Sequence, residues 1–142
     1  MRAGYQFRST IRREAELELK RIPGTKIAAT PSALDSAKWP EGALVFRIAT
    51  DEVLVTPPVA EVQVNDPHAI VVADSSYAGA WLPMAEALEL LERTCEWEIP
   101  GERPAFAQGA IAEIPAKLWL EKDRVLFIIP APYVADFQER ML

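Results

Sequence analysis

The chain has 142 residues, half of them hydrophobic and a quarter charged, with 15 basic against 21 acidic side chains and a formal net charge of −6. That length and balance fit one soluble globular domain, burying roughly 68–70% of its unfolded surface. The acidic balance argues against a nucleic-acid binder, no apolar run approaches the ~20 residues needed to cross a bilayer, and a lone cysteine, Cys95, excludes an intrachain disulfide and fits a reducing compartment.

Residues 1–13 read as an N-terminal arm carrying Arg2, Arg8, Arg12 and Arg13, a solvated or subunit-contacting segment rather than an RNA site. The first thirty residues are too charged for a signal peptide, so the cytoplasm is the expected compartment. Residues 15–20 alternate apolar and polar, which places Ala15, Leu17 and Leu19 on one face of a strand. The same residues are good helix formers, and a helix is the rival reading. Pro23-Gly24 is expected to end the element in either case.

A short strand over 25–30 is followed by a helix over 33–38, with Ser32 as cap and Trp39-Pro40 as stop. Residues 43–48 and 53–55 form a hairpin around Thr50-Asp51-Glu52, closed by Pro57-Pro58, and 59–64 is one more candidate strand. The apolar run Ala69-Ile70-Val71-Val72-Ala73 reads as a buried strand ending at Asp74, with a further strand over 77–82. Pro83 then starts a helix in which Met84, Leu88, Leu91 and Cys95 recur on the apolar face, with Ala87 beside them. After a charged, proline-rich loop over 96–104, residues 107–114 read as a strand. A hairpin joins 117–120 to 125–129, and a last helix spans 133–141, with Val134, Phe137 and Met141 at helical spacing.

An internal repeat organises these elements. Asp51-Glu52-Val53-Leu54-Val55 and Asp123-Arg124-Val125-Leu126-Phe127 share the pattern Asp-x-Val-Leu-apolar. Extended outward, Phe46 matches Leu118, Ile48 matches Leu120 and Pro58 matches Pro130. Both halves read β-α-β-β, and a tryptophan follows each helix, Trp39 in one and Trp97 in the other, as a structural plug. Neither half alone could bury both its helix and its sheet, whereas two packed together can.

Several stretches carry a resemblance. Residues 46–55 are similar to the "R-[LI]-x-P-D-E-x-L" signature of the sarcosine oxidase gamma subunit family. Residues 70–76 resemble its "V-x-D-x-S" strand end, 82–95 its "L-x-G-x-x-A-x-x-L-L-x-x-x-C" helix, and 106–112 its "F-x-x-G-x-x-A" strand. Residues 125–142 resemble its closing strand and helix. Two departures stand out: the glycine before the main helix is replaced around Pro83-Met84, and the segment between Val55 and Ala69 is short and proline-rich where the family tends to carry a helix. The resemblance implies an α+β fold of two intertwined β-α-β-β subdomains related by a pseudo-twofold axis, as in the related folate-binding domain of glycine-cleavage aminomethyltransferase. In that reading 14–142 is one domain with halves at about 14–66 and 67–142.

The same resemblance implies a non-catalytic accessory protein that docks to a larger oxidoreductase subunit or self-associates; the alternative it implies is a binding module for a folate-like small molecule. No catalytic residue, cofactor or metal site is assigned. The folate-dependent relatives use a glycine-rich turn with paired aspartates, whereas the equivalent stretch here, 112–117, holds only Glu113, expected to point to solvent from a strand. His68, the only histidine, can be drawn with Asp74 and Ser75 as a triad, but neighbours on a strand end point to opposite sides. Asp74-Ser75-Ser76 is more simply a turn or cap. Cys95 reads as a packed thiol, one Cys and one His do not make an ordinary zinc site, and the six scattered glycines form no phosphate-cradling loop.

Overall fold

The computed structural model describes residues 17–141, so the arm over 1–13 lies outside the described residues. The fold is α+β. The described chain divides into two compact units: residues 21–77 form the first, and residues 17–20 with 78–141 form the second. The division falls inside a strand, between Tyr77 and Ala78, rather than in the loop near residue 66.

The first unit is built from β1 (Lys20–Ala28), helix α1 (Pro31–Asp35), β2 (Leu44–Ala49), β3 (Glu52–Thr56) and the opening residues of β4 (Ile70–Pro83), with strand neighbours in the order β2-β3-β1-β4. Pro23-Gly24 does not interrupt β1. A Cβ at Gly24 would sit 3.0 Å from the Val55 carbonyl oxygen and 3.1 Å from Leu54 Cδ1, so the glycine eases a close approach of β3. The Pro23 carbonyl meanwhile accepts from Thr56 Oγ1 at 2.9 Å. Helix α1 starts earlier than expected. Its cap is Thr30, whose hydroxyl accepts from the Ala33 N–H, because Pro31 fits the first helical position and pushes the cap ahead of it.

Ile27, Leu34, Val53 and Val55 form the core of this unit, and Trp39, Val45, Val59, Val62 and Val64 pack against it. The expected strand over 59–64 is therefore loop. It carries one isolated bridge, from Lys38 to Gln63, and is pinned where the Val59 N–H donates to the buried Thr25 hydroxyl at 3.0 Å. The Arg47 guanidinium ties the hairpin turn to α1. Nε donates to the Ala49 and Thr50 carbonyls, Nη2 to the Thr50 and Pro31 carbonyls, and Nη1 to Asp35 Oδ1 at 2.8 Å.

The second unit holds the remainder of β4, α2 (Met84–Thr94), β5 (Ala105–Ile111), β6 (Ile114–Leu120), β7 (Arg124–Pro130), a 3-10 turn (Ala131–Tyr133) and α3 (Val134–Met141), in the strand order β4-β7-β6-β5. Ala87, Leu90 and Leu91 of α2 and Phe137 and Met141 of α3 meet Leu118, Leu120, Val125, Phe127 and Ile129 in its core. Each such large side chain contributes about 1.5–3 kcal/mol on burial. Leu88, assigned to the buried face of α2, is instead 42% exposed. Leu90 and Leu91 follow Ala87 at the i+3 and i+4 positions and complete the buried stripe without it. Residues 17–19 form neither strand nor helix, yet Leu17 is buried in this core and Leu19 packs against it. The Leu17 carbonyl accepts from Gln138 Nε2 at 3.0 Å.

The strand expected over 107–114 is present as β5 but ends at Ile111, where a tight turn leads into β6. Ile111 faces Ile114, and the two residues between them, Ala112 and Glu113, sit at φ 50° and 68°. This is the left-handed geometry of a two-residue turn, which glycine and asparagine normally supply, so the sequence carries no cue for it.

The hairpins β2–β3 and β6–β7 correspond in register, with one correction to the sequence match. Leu54 faces Phe46 and Leu126 faces Trp119; Val55 faces Val45 and Phe127 faces Leu118. Phe46 therefore answers to Trp119, and Leu118 to Val45, one residue away from the pairing of Phe46 with Leu118. The cause is an irregularity between Arg47 and Ala49, which passes over Ile48 and slips the first hairpin by one. The strand ends also correspond. Just after β1 the Ala29 N–H donates to the Asp51 carbonyl at 3.0 Å, and just after β4 the Met84 N–H donates to the Asp123 carbonyl at 2.8 Å.

Candidate functional site

Among the described residues, a group of interacting charges lies in the first unit, on three neighbouring strands. Lys26 of β1 faces Leu54 of β3, and Ala28 faces Glu52, so Lys26 and Glu52 lie two positions apart in register and share one face of the sheet. Lys26 Nζ is 3.2 Å from Glu52 Oε1 and 3.4 Å from Asp74 Oδ2 of β4. Only 9% of the Asp74 side chain is exposed. Its second oxygen accepts from the Ser76 N–H at 2.8 Å and from the Ser76 hydroxyl at 2.5 Å. Arg21 Nη1 donates to the Ser75 carbonyl at 2.9 Å and ties the same stretch of β4 to β1.

Burial opposes ionisation of Asp74, but the two bonds from Ser76 and the Lys26 ammonium outweigh it and hold the carboxyl below its usual range. Burial likewise works against the Lys26 ammonium, and Glu52 and Asp74 overcome it, raising the lysine above its usual value. For Tyr77 burial is the main influence; with help from the Asp74 and Glu52 charges and against that of Lys26, it pushes the phenol up. At neutral pH these groups are respectively anionic, cationic and neutral. A tyrosine acting as acid or base beside a lysine needs its phenol moved down towards neutrality, and here it moves away. The cluster is a charge strut in which one ammonium bridges two carboxylates across three strands.

The other residues singled out by sequence are kept apart from it. Asp74 spends its carboxylate on Ser76 and Lys26, and Ser75 is exposed with its carbonyl held by Arg21, so the drawn triad with His68 is not assembled. The Asp74–Ser76 bonds do have the local form expected of a turn, yet they occur within an unbroken strand, β4, rather than between two strands. The His68 N–H donates to Asp66 Oδ1 at 2.8 Å, and the Thr30 N–H to Asp66 Oδ2 at 3.0 Å. Those two backbone donors, His68 first, hold the Asp66 carboxyl below its usual range.

Glu113 stands at the tip of the β5–β6 turn rather than on a strand, 91% exposed and 3.6 Å from Arg140. Cys95 packs against the core of the second unit, and its Sγ donates to the Trp97 carbonyl at 3.2 Å. Among the described residues no group of three or more His, Cys, Asp or Glu side chains is placed to hold a metal ion, and no helix is long and apolar enough to cross a membrane.

Two further features escaped the sequence. Glu86 Oε2, in the first turn of α2, is a buried oxygen without a hydrogen-bond partner. The opening of β4 is exposed: Ile70, Val71 and Val72 are 62%, 47% and 47% accessible, where a buried strand was expected. No signal in the run distinguishes the two cases, since an unbroken apolar stretch reads as core whether or not anything covers it. No family model matches this chain, and no curated protein does either.

Proposed function

We propose that this chain is a non-catalytic accessory protein, similar in role to the gamma subunit of heterotetrameric sarcosine oxidase, that docks on a larger oxidoreductase subunit or on a second copy of itself. The observation that carries this reading is the run of three consecutive exposed apolar residues, Ile70-Val71-Val72, at the start of β4. A solvent-exposed strand segment of this kind, with apolar side chains on both faces, marks a surface that soluble proteins rarely leave uncovered unless a partner packs on it.

We also propose that the two units are descendants of one β-α-β-β element, forming the intertwined pseudo-twofold fold of the aminomethyltransferase folate-binding domain. Three correspondences support it: the strand orders β1-β3-β2 in the first unit and β4-β7-β6 in the second, with β5 an addition to the second, the bonds from Ala29 to Asp51 and from Met84 to Asp123, and the shared inward face of Val53 and Val55 with Val125 and Phe127.

The test is purification from the native host under mild conditions, followed by light scattering. Recovery with an oxidoreductase subunit, or as a homo-oligomer, is the expected result. In the Val71→Lys variant that association is lost while the circular dichroism spectrum is retained. A lone monomer at high concentration, with no co-purifying protein, would overturn the reading.

A further inference from the structure

We draw no further inference here: the strongest candidate, the exposed apolar opening of β4 at Ile70, Val71 and Val72, belongs to the surface already described, and nothing in the structure shows what covers it.

Discussion

Trp97 lies directly over Gly109: a Cβ at residue 109 would meet the indole Cε2, Nε1 and Cζ2 atoms at 2.5, 2.6 and 2.9 Å. The same indole donates from Nε1 to the Ala110 carbonyl at 2.8 Å and packs against the core of its unit. The plug expected of this tryptophan thus depends on a hole left in β5 by the glycine. Gly109→Ala should cost about 1–3 kcal/mol, the usual penalty for overfilling a packed site. Urea unfolding checks it, and an unchanged midpoint would mean that the ring moves aside freely. Trp97→Phe should cost about 1 kcal/mol through the lost hydrogen bond, before any change in packing.

Gly24 makes a parallel case in the first unit. Its missing side chain lets β1 approach the Val55 carbonyl, and backbone cannot yield as a side chain can. Gly24→Ala is expected to destabilise by about 1–3 kcal/mol. Gly101 serves as the control, since a Cβ there would meet nothing within 4 Å, and Gly101→Ala should leave the midpoint nearly unchanged.

The β5–β6 turn places two side-chain-bearing residues, Ala112 and Glu113, in left-handed backbone geometry. Left-handed geometry costs roughly 1–2 kcal/mol per L-residue. The double variant Ala112→Asn, Glu113→Gly should therefore stabilise by about 1–2 kcal/mol. The lost contact between Glu113 and Arg140 offsets little of this, because an exposed ion pair contributes only about 0–1 kcal/mol. Thermal and urea unfolding should both shift upward; a downward shift would show that the pair matters more than the backbone.

Asp74 gives a pH signature. Its folded carboxyl is held below the usual 3.8, so the folded state binds this proton less readily than the unfolded chain. The stabilisation is complete above the unfolded value and is lost as pH falls through the lower folded value. Asp74→Asn should cost about 1–2 kcal/mol at pH 7 through its charge-assisted bonds, with allowance for partial screening. That penalty should shrink towards zero as the pH drops below 3.8, as measured by urea unfolding across pH. A penalty that is the same at acid and neutral pH would mean that packing, not charge, is what the substitution removes.

The hairpins around Asp51 and Asp123, the helix opened by Pro83 and the closing helix with Phe137 and Met141 were all legible in sequence. Each is specified by neighbours a few residues apart: a turn residue, a proline at the right position, a helical spacing of apolar side chains. The strut of Lys26, Glu52 and Asp74 was not legible, because its members are far apart in sequence and meet only when β1, β3 and β4 are set side by side. Nor was the one-residue slip at Ile48, which changes which residue answers to Leu118 without changing any local pattern.

The sequence by itself determined an α+β chain with hairpins around Asp51 and Asp123 and helices after Pro83 and Pro132, because turn chemistry and helical spacing act within a few bonds. Tertiary structure decided which apolar residues are covered. Val53-Leu54-Val55 and Ile70-Val71-Val72 are equally apolar runs, yet the first is buried and the second exposed. Hydrophobic burial is a property of what lies opposite a side chain in space, and a linear sequence fixes what a residue is but not what comes to rest against it.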